Sequence, residues 1–215
     1  MPILTERDKR AVRSRLQGNL ENPVRMKVFT QEFECQYCSD LRTLVEELSE
    51  LGDGKLEHEI YDFEKNADLA ARWKVDKIPA LLIHGLKEYK VRYFGLPAGY
   101  EFAALLDDLI DVSRGVSRLS PSVKQKVKEI DRPVHIQVFV TPTCPYCPRA
   151  VRTAHQMAIE NELITADMIE AIEFPHLANK YNVMAVPKIV INDKISFEGA
   201  LPDAHFVEHV LMALE

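Results

Sequence analysis

The chain is expected to be an α/β protein of two tandem units, each a central mixed β-sheet flanked by helices. Three observations predict this. Strand-like alternation and helix-like apolar spacing succeed one another in the order β-α-β-α-β-β-α, after a leading helix, and the whole order occurs twice. Each pass carries one Cys-x-x-Cys, Cys35-Gln-Tyr-Cys38 and Cys144-Pro-Tyr-Cys147, which together hold all four cysteines. Each motif is followed by an apolar residue and a proline at the start of a strand, Ile78-Pro79 and Val186-Pro187, 41 residues after Cys38 and 40 after Cys147.

In the first pass, Thr5 is the expected N-cap of a helix to about Leu20, with Asp8 three residues on, and Asn22-Pro23 ends it. Val24 to Thr30 alternates as a strand. After Cys38, Leu41, Leu44, Val45, Leu48 and Leu51 fall at helical spacing, and Gly52-Asp-Gly54 stops them. Leu56 to Phe63 is the second strand, Asn66 to Trp73 a short helix, Ala80 to His84 and Tyr89 to Phe94 two more strands. Tyr100 to Val112 is an amphipathic helix. In the second pass Ser120-Pro121 pairs an N-cap with proline at the first helical position, opening a helix to about Ile130. Strands at Val134–Thr141, Asp167–Ile172, Lys188–Ile191 and Ile195–Phe197 alternate with helices from Cys147 through Met157, Phe174 to Tyr181 and Asp203 to Leu214. Trp73 and Tyr181 each stand six residues before the strand-opening proline, and Phe94-Gly95 matches Glu198-Gly199. The junction falls in Ser113 to Ser120, giving units at 1–116 and 117–215. A linker this short is expected to leave the units packed together.

With 215 residues, 47% apolar and 28% charged, the chain is globular in composition. Its net charge of −6 is shared evenly, with no basic stripe, so neither nucleic acid nor an anionic membrane is expected as partner. The N-terminus lacks the apolar core of a signal peptide, and no stretch is long and apolar enough for a membrane span, so a cytoplasmic location is expected. There a cysteine pair is more often catalytic or metal-binding than structural.

A thiolate is the attacking species in disulfide exchange, and a helix N-terminus favours it through unpaired N–H groups and the helix dipole. Cys35 and Cys144 fall at strand-to-helix junctions. Cys38 and Cys147, one turn further along, suit the resolving role that breaks a mixed disulfide. Pro79 and Pro187 can hold cis bonds beside the dithiols, leaving the backbone of Ile78 and Val186 free to pair with an extended substrate. Tyr37 and Tyr146, between the cysteines, are expected to project toward substrate.

These residues resemble the thioredoxin and glutaredoxin superfamily, so the units are expected to be thioredoxin-like. Cys144-Pro-Tyr-Cys147 is the glutaredoxin dithiol. The tandem of a Gln-Tyr and a Pro-Tyr motif, with Tyr93-Phe-Gly-Leu-Pro-Ala-Gly99 and Tyr181-Asn-Val-Met-Ala-Val-Pro187, is similar to the protein disulfide oxidoreductases of thermophilic archaea and bacteria. The resemblance spans nearly the whole chain. It implies reduction, oxidation and isomerisation of protein disulfides without a bound cofactor, electrons from a thioredoxin reductase, and a thermophilic source. Two departures stand out. Ala185 and a single Gly199 replace the threonine and paired glycines of a glutathione site. Phe29 and Val138 occupy the strand position where thioredoxins carry an acid, which leaves Asp62 and Glu173 as candidate proton acceptors.

Competing readings are fewer. Structural zinc brings its Cys-x-x-Cys pairs close in sequence, whereas Cys38 and Cys144 are 106 residues apart, so no metal is expected. A redox-inert binding or chaperone module and an electron relay serving a peroxidase are the alternative functions. His155 and His209 are expected to be solvated, and Trp73, Tyr181, Phe102 and Phe206 to be core. Glu32, Glu34 and Asp40 flank Cys35, whereas Arg149 and Arg152 follow Cys144. Cys144 is therefore expected to have the lower pKa and to carry most of the turnover.

Overall fold

The computed structural model describes residues 2–215. The first half comprises α1 (Glu6–Leu16), β1 (Val24–Thr30), α2 (Cys38–Leu51), β2 (Leu56–Asp62), α3 (Ala67–Arg72), β3 (Ala80–His84), β4 (Val91–Phe94) and α4 (Glu101–Arg114). The second comprises α5 (Pro121–Lys128), β5 (Val134–Val140), α6 (Cys147–Glu160), β6 (Ile164–Glu170), α7 (Pro175–Lys180), β7 (Lys188–Ile191), β8 (Ile195–Glu198) and α8 (Asp203–Met212). Both halves have the same sheet: the first two strands run parallel, and the third and fourth are antiparallel additions. The two sheets are one. Parallel pairing of β4 with β6, from Val91↔Ala166 to Phe94↔Ile169, gives the continuous order β2-β1-β3-β4-β6-β5-β7-β8.

Local chemistry explains most boundaries. Thr5 and Asp8 form a reciprocal capping box at α1, and Ser120 caps α5 ahead of Pro121. α1 ends at Leu16 rather than Leu20, because the chain turns at Gly18 with φ 73°. β6 starts at Ile164, three residues before the alternation suggests. Asn161 bonds the carbonyls of Val127 and Ile130 and accepts from the Leu163 N–H, so the chain leaves α6 in a fixed turn. Asp167 also disguises this strand, since it is fully buried rather than outward-facing.

One sheet face is covered by α1, α2, α4, α5, α6 and α8, and holds the larger core, including Met26, Leu48, Tyr93, Leu109, Val138, Met157 and Phe206. The other carries the short α3 and α7 over Phe29, Phe94, Phe139 and Ile169. Phe206 is core as expected, whereas Phe102, Tyr181 and Trp73 are half-buried at its margins, Trp73 in an aromatic cluster with Phe29 and Tyr61.

The halves are held by buried polar groups as well as by strands. On one face Arg92 of β4 makes two bonds to Asp167 of β6, at 2.7 and 2.8 Å, and His135 adds a third at 2.7 Å. Burial alone would push Asp167 up, but the Arg92 charge and the His135 hydrogen bond hold it well below the usual carboxylate range. On the other face Asp108 of α4 accepts from Tyr93, Arg152 and His155 of α6, and Arg152 also reaches Asp111. This overturns two expectations. His155 is fully buried rather than solvated, and burial followed by the Arg152 charge lowers its pKa to about 3, so the ring is neutral. Arg152 is spent on the carboxylates of α4 and does not serve Cys144. Spacing along α6 could not reveal this, because the partners lie in the other half of the chain. Asp108→Ala would leave the Arg152 charge buried and uncompensated. Its unfolding free energy, from urea titration, is expected to fall by about 3–5 kcal/mol.

Candidate active site

Both Cys-x-x-Cys motifs sit at the same end of the sheet, past the C-terminal ends of the interior strands β1 and β5. Each pair is joined as a disulfide, Cys35–Cys38 and Cys144–Cys147, with Cα atoms 5.5 Å apart. The second cysteine is the first residue of α2 or α6, rather than a residue one turn inside it as the spacing suggested, and the first cysteine stands in the preceding turn. Cys38 and Cys147 are buried, Cys144 is 7% exposed and Cys35 is half-buried. The first cysteine is thus the reachable one at Cys35, and only marginally so at Cys144.

The two sites differ in their hydrogen bonds. The Cys147 N–H, one of the unpaired donors of the α6 terminus, points to Cys144 Sγ at 3.1 Å. In the first unit the sulfur receiving a backbone N–H is that of Cys38, from Gln31 at 3.5 Å. Glu32, Glu34 and Asp40 are exposed around Cys35, whereas the 141–149 loop has no acid.

The Ile78–Pro79 and Val186–Pro187 bonds are both cis. Val186 O lies 3.7 Å from Cys144 Sγ, so the strand-opening proline 40 residues on is brought against the dithiol. Gly95 and Gly199 close both loops in the same way, donating N–H bonds of 2.9 Å to Pro79 O and Pro187 O with φ of 94° and 91°. Tyr146 is 70% exposed, but Tyr37 is half-buried at the N-cap of α2, and Ile78 and Val186 are half-buried. Exposed Met184 extends the apolar border of the second site, and Phe33 that of the first.

The acids sort differently from the sequence reading. Asp62 accepts the Lys65 N–H at 2.9 Å, and this bond lowers its pKa, so it serves the turn into α3. Glu173 lies past β6, accepts the Leu96 N–H at 2.8 Å, and is raised to about 7, chiefly by burial. Glu101 was missed. It is the first residue of α4, whose N-terminus abuts the Cys144 loop through the Tyr100 N–H to Pro142 O bond of 3.1 Å. Gly99 is required there, since a Cβ would stand 2.2 Å from Pro142 O. Glu101 is 1% exposed, neither carboxyl oxygen has a partner, and burial raises its pKa to about 8. Its only signal in the sequence is an acid at the start of α4, one of four acids in that helix. Among the described residues no cluster of His, Cys, Asp or Glu is placed to hold a metal, and no helix is long and apolar enough to cross a membrane.

Two thioredoxin-like units with a disulfide at each helix start and a cis-proline loop beside it define a thiol–disulfide oxidoreductase. Residues 134–212 match the family model described as a thioredoxin domain. The structure superposes on a protein disulfide oxidoreductase from Aeropyrum pernix K1 with a TM-score of 0.90 and 34% identity, covering 98% of this chain and 93% of that one. The chain belongs to the protein disulfide oxidoreductase family and is an enzyme of thiol–disulfide exchange. The same fold is seen in the alkylhydroperoxide reductase protein AhpF of Enterococcus faecalis, with a TM-score of 0.87 and 20% identity over 96% of this chain and 99% of that one. The corresponding protein of Staphylococcus aureus is 30% identical over 106 residues, 49% of this chain. The chain spans 20% of that relative's length and 33% of another curated relative, an NADH dehydrogenase from Bacillus subtilis.

Glu101 gives a pH signature in stability. Its folded pKa is raised above the unfolded value, so its contribution is fully present below about pH 4.5 and is lost as pH rises through about 8. Glu101→Gln removes that loss. Urea titrations between pH 5 and 8 are expected to show a flatter decline, with the variant more stable at pH 8 by on the order of 3 kcal/mol.

Proposed function

We propose that the protein reduces, oxidises and isomerises protein disulfides through two dithiols, with Cys35 and Cys144 as nucleophiles and Cys38 and Cys147 as resolving thiols. The observation that carries this is the placement of each disulfide at a helix start, against a cis-proline loop. In reduction, the Cys144 thiolate attacks one sulfur of a substrate disulfide. The substrate S–S bond breaks, one thiolate leaves, and a mixed disulfide forms. Cys147 then loses its proton and attacks Cys144 Sγ, releasing the second substrate thiolate and leaving the enzyme disulfide; two electrons have passed to the substrate. Glu101, buried at the start of α4 where that helix meets the Cys144 loop, is the candidate acceptor for that proton as pH rises through about 8 and its carboxyl ionises. Oxidation runs the same steps in reverse.

The backbone of Ile78 and Val186, held by Pro79 and Pro187, pairs with an extended substrate segment, and Tyr37 and Tyr146 contact its side chains. The functional units are 1–116 and 117–215. The enzyme works in the cytoplasm on protein thiols and disulfides, without a bound cofactor, and is reduced by a thioredoxin reductase. The 34% identity with the Aeropyrum pernix enzyme over almost the whole chain supports this reading. The likeness to the alkyl hydroperoxide reductase protein AhpF favours a second reading, an electron relay in a peroxide-reducing system, which would turn over rapidly only with a cognate reductase or peroxidase.

Cys144 is the more acidic nucleophile in this reading, because the Cys147 N–H supports its thiolate whereas acids surround Cys35. Iodoacetamide alkylation across pH in single-site variants is expected to give Cys144 a pKa at least about 1 unit below that of Cys35; equal or reversed values would contradict it. Cys144→Ser is expected to lose about 90% or more of insulin-reducing activity, which a redox-inert binding module would not possess.

A further inference from the structure

Gly95 and Gly199 are equivalent positions with different surroundings. A Cβ on Gly199 would meet nothing within 4 Å. A Cβ on Gly95 would stand 2.7 Å from Glu170 Cβ and 3.0 Å from Glu173 Cδ, so the second unit forms a wall beside the loop that holds Pro79. Glu173 Oε1 is fixed by the Leu96 N–H, while Glu173 Oε2 and Glu170 Oε1 are buried with no partner. The charges that face Glu173 are Glu170 of β6 and Asp40, two residues beyond Cys38 in α2, and both raise its pKa after burial. Glu32 and Glu34, both exposed and just before Cys35, line a hollow of about 210 Å³ with Phe33, Asp62, Glu64 and Lys65, so acids there outnumber the one cation. The 141–149 segment around Cys144 contains no acid.

We propose that Glu173, supplied by the second unit, is a specificity-determining residue of the first unit's dithiol. With Glu32, Glu34 and Asp40 it makes the Cys35–Cys38 site select disulfides flanked by lysine or arginine, while the Cys144–Cys147 site has no such charge preference. The proposal rests on the reading that both dithiols exchange with polypeptide disulfides. It assigns the two sites different partners, through complementary charge that speeds encounter and is screened by salt.

The test uses the full chain with one dithiol disabled: Cys144→Ser with Cys147→Ser leaves the first site, and Cys35→Ser with Cys38→Ser leaves the second. Two synthetic peptides closed by one disulfide, identical except for flanking Lys or Glu, are reduced by each pre-reduced variant. Second-order rates are read from thiol release. The first-site variant is expected to favour the Lys peptide by about 10-fold at low ionic strength, falling to about 2-fold in 0.5 M salt, and the second-site variant by under about 2-fold throughout. Adding Glu173→Gln to the first-site variant is expected to cut its preference to about 3-fold. It should also abolish the rise in preference between about pH 6 and 8, where Glu173 ionises. A loss of packing alone would not remove that pH dependence. The proposal is overturned if the first site treats both peptides alike, or if Glu173→Gln leaves the ratio and its pH profile unchanged. Inactivity of both variants on both peptides would overturn the functional reading and this proposal with it.

Discussion

The parallel pairing of β4 with β6 is the constraint on which the rest of the structure depends. Without it each unit would present an exposed sheet edge, with unpaired backbone groups. With it the eight strands form one sheet, and both helix-start disulfides are fixed at the same end of the strands. The Arg92–Asp167–His135 cluster on one face and the Asp108–Arg152–His155 network on the other reinforce the join. Each sets a buried carboxylate against a cation from the other half, Arg92 for Asp167 and Arg152 for Asp108. Such groups add specificity to a contact that strands and apolar side chains already make.

That join also breaks the symmetry of the repeat. The two units share strand order, cis-proline loops and closing glycines, yet β4 abuts the second unit whereas β8 is a free edge. Glu170 and Glu173 therefore lie against Gly95, and the counterpart at Gly199 is open. The N-terminus of α4, from the first unit, in turn leans on the loop that carries Cys144, bringing buried Glu101 with it. The Gly95 loop thus meets carboxyl groups of the second unit, and the Cys144 loop meets the helix that opens with Glu101 of the first. Thioredoxins place an acid in the strand before the dithiol, a position filled here by Phe29 and Val138.

Reactivity follows from the same geometry. A helix terminus provides N–H donors that no residue of the helix can satisfy, and Cys144 Sγ uses one of them. Cys35 is more exposed and stands among acids, whereas Cys144 is nearly buried and receives the Cys147 N–H.

The sequence by itself determined the repeated element order, the strands at Val24–Thr30, Ala80–His84 and Lys188–Ile191, and the identity of the redox pairs. These rest on local rules: alternation, capping, proline punctuation and short spacing. It also pointed to the two strand-opening prolines as possible cis sites, because X-Pro is the one linkage where a cis bond costs little. Only the tertiary structure decided how the units join, that His155 is buried, that Arg152 serves Asp108 and Asp111, that buried Glu101 opens the helix meeting the Cys144 loop, and that Glu173 lies against the Gly95 loop. Those contacts link residues 41 to 77 positions apart, from Asp111 with Arg152 to Leu96 with Glu173. Burial and charge pairing depend on neighbours in space, and no periodicity along the chain records them.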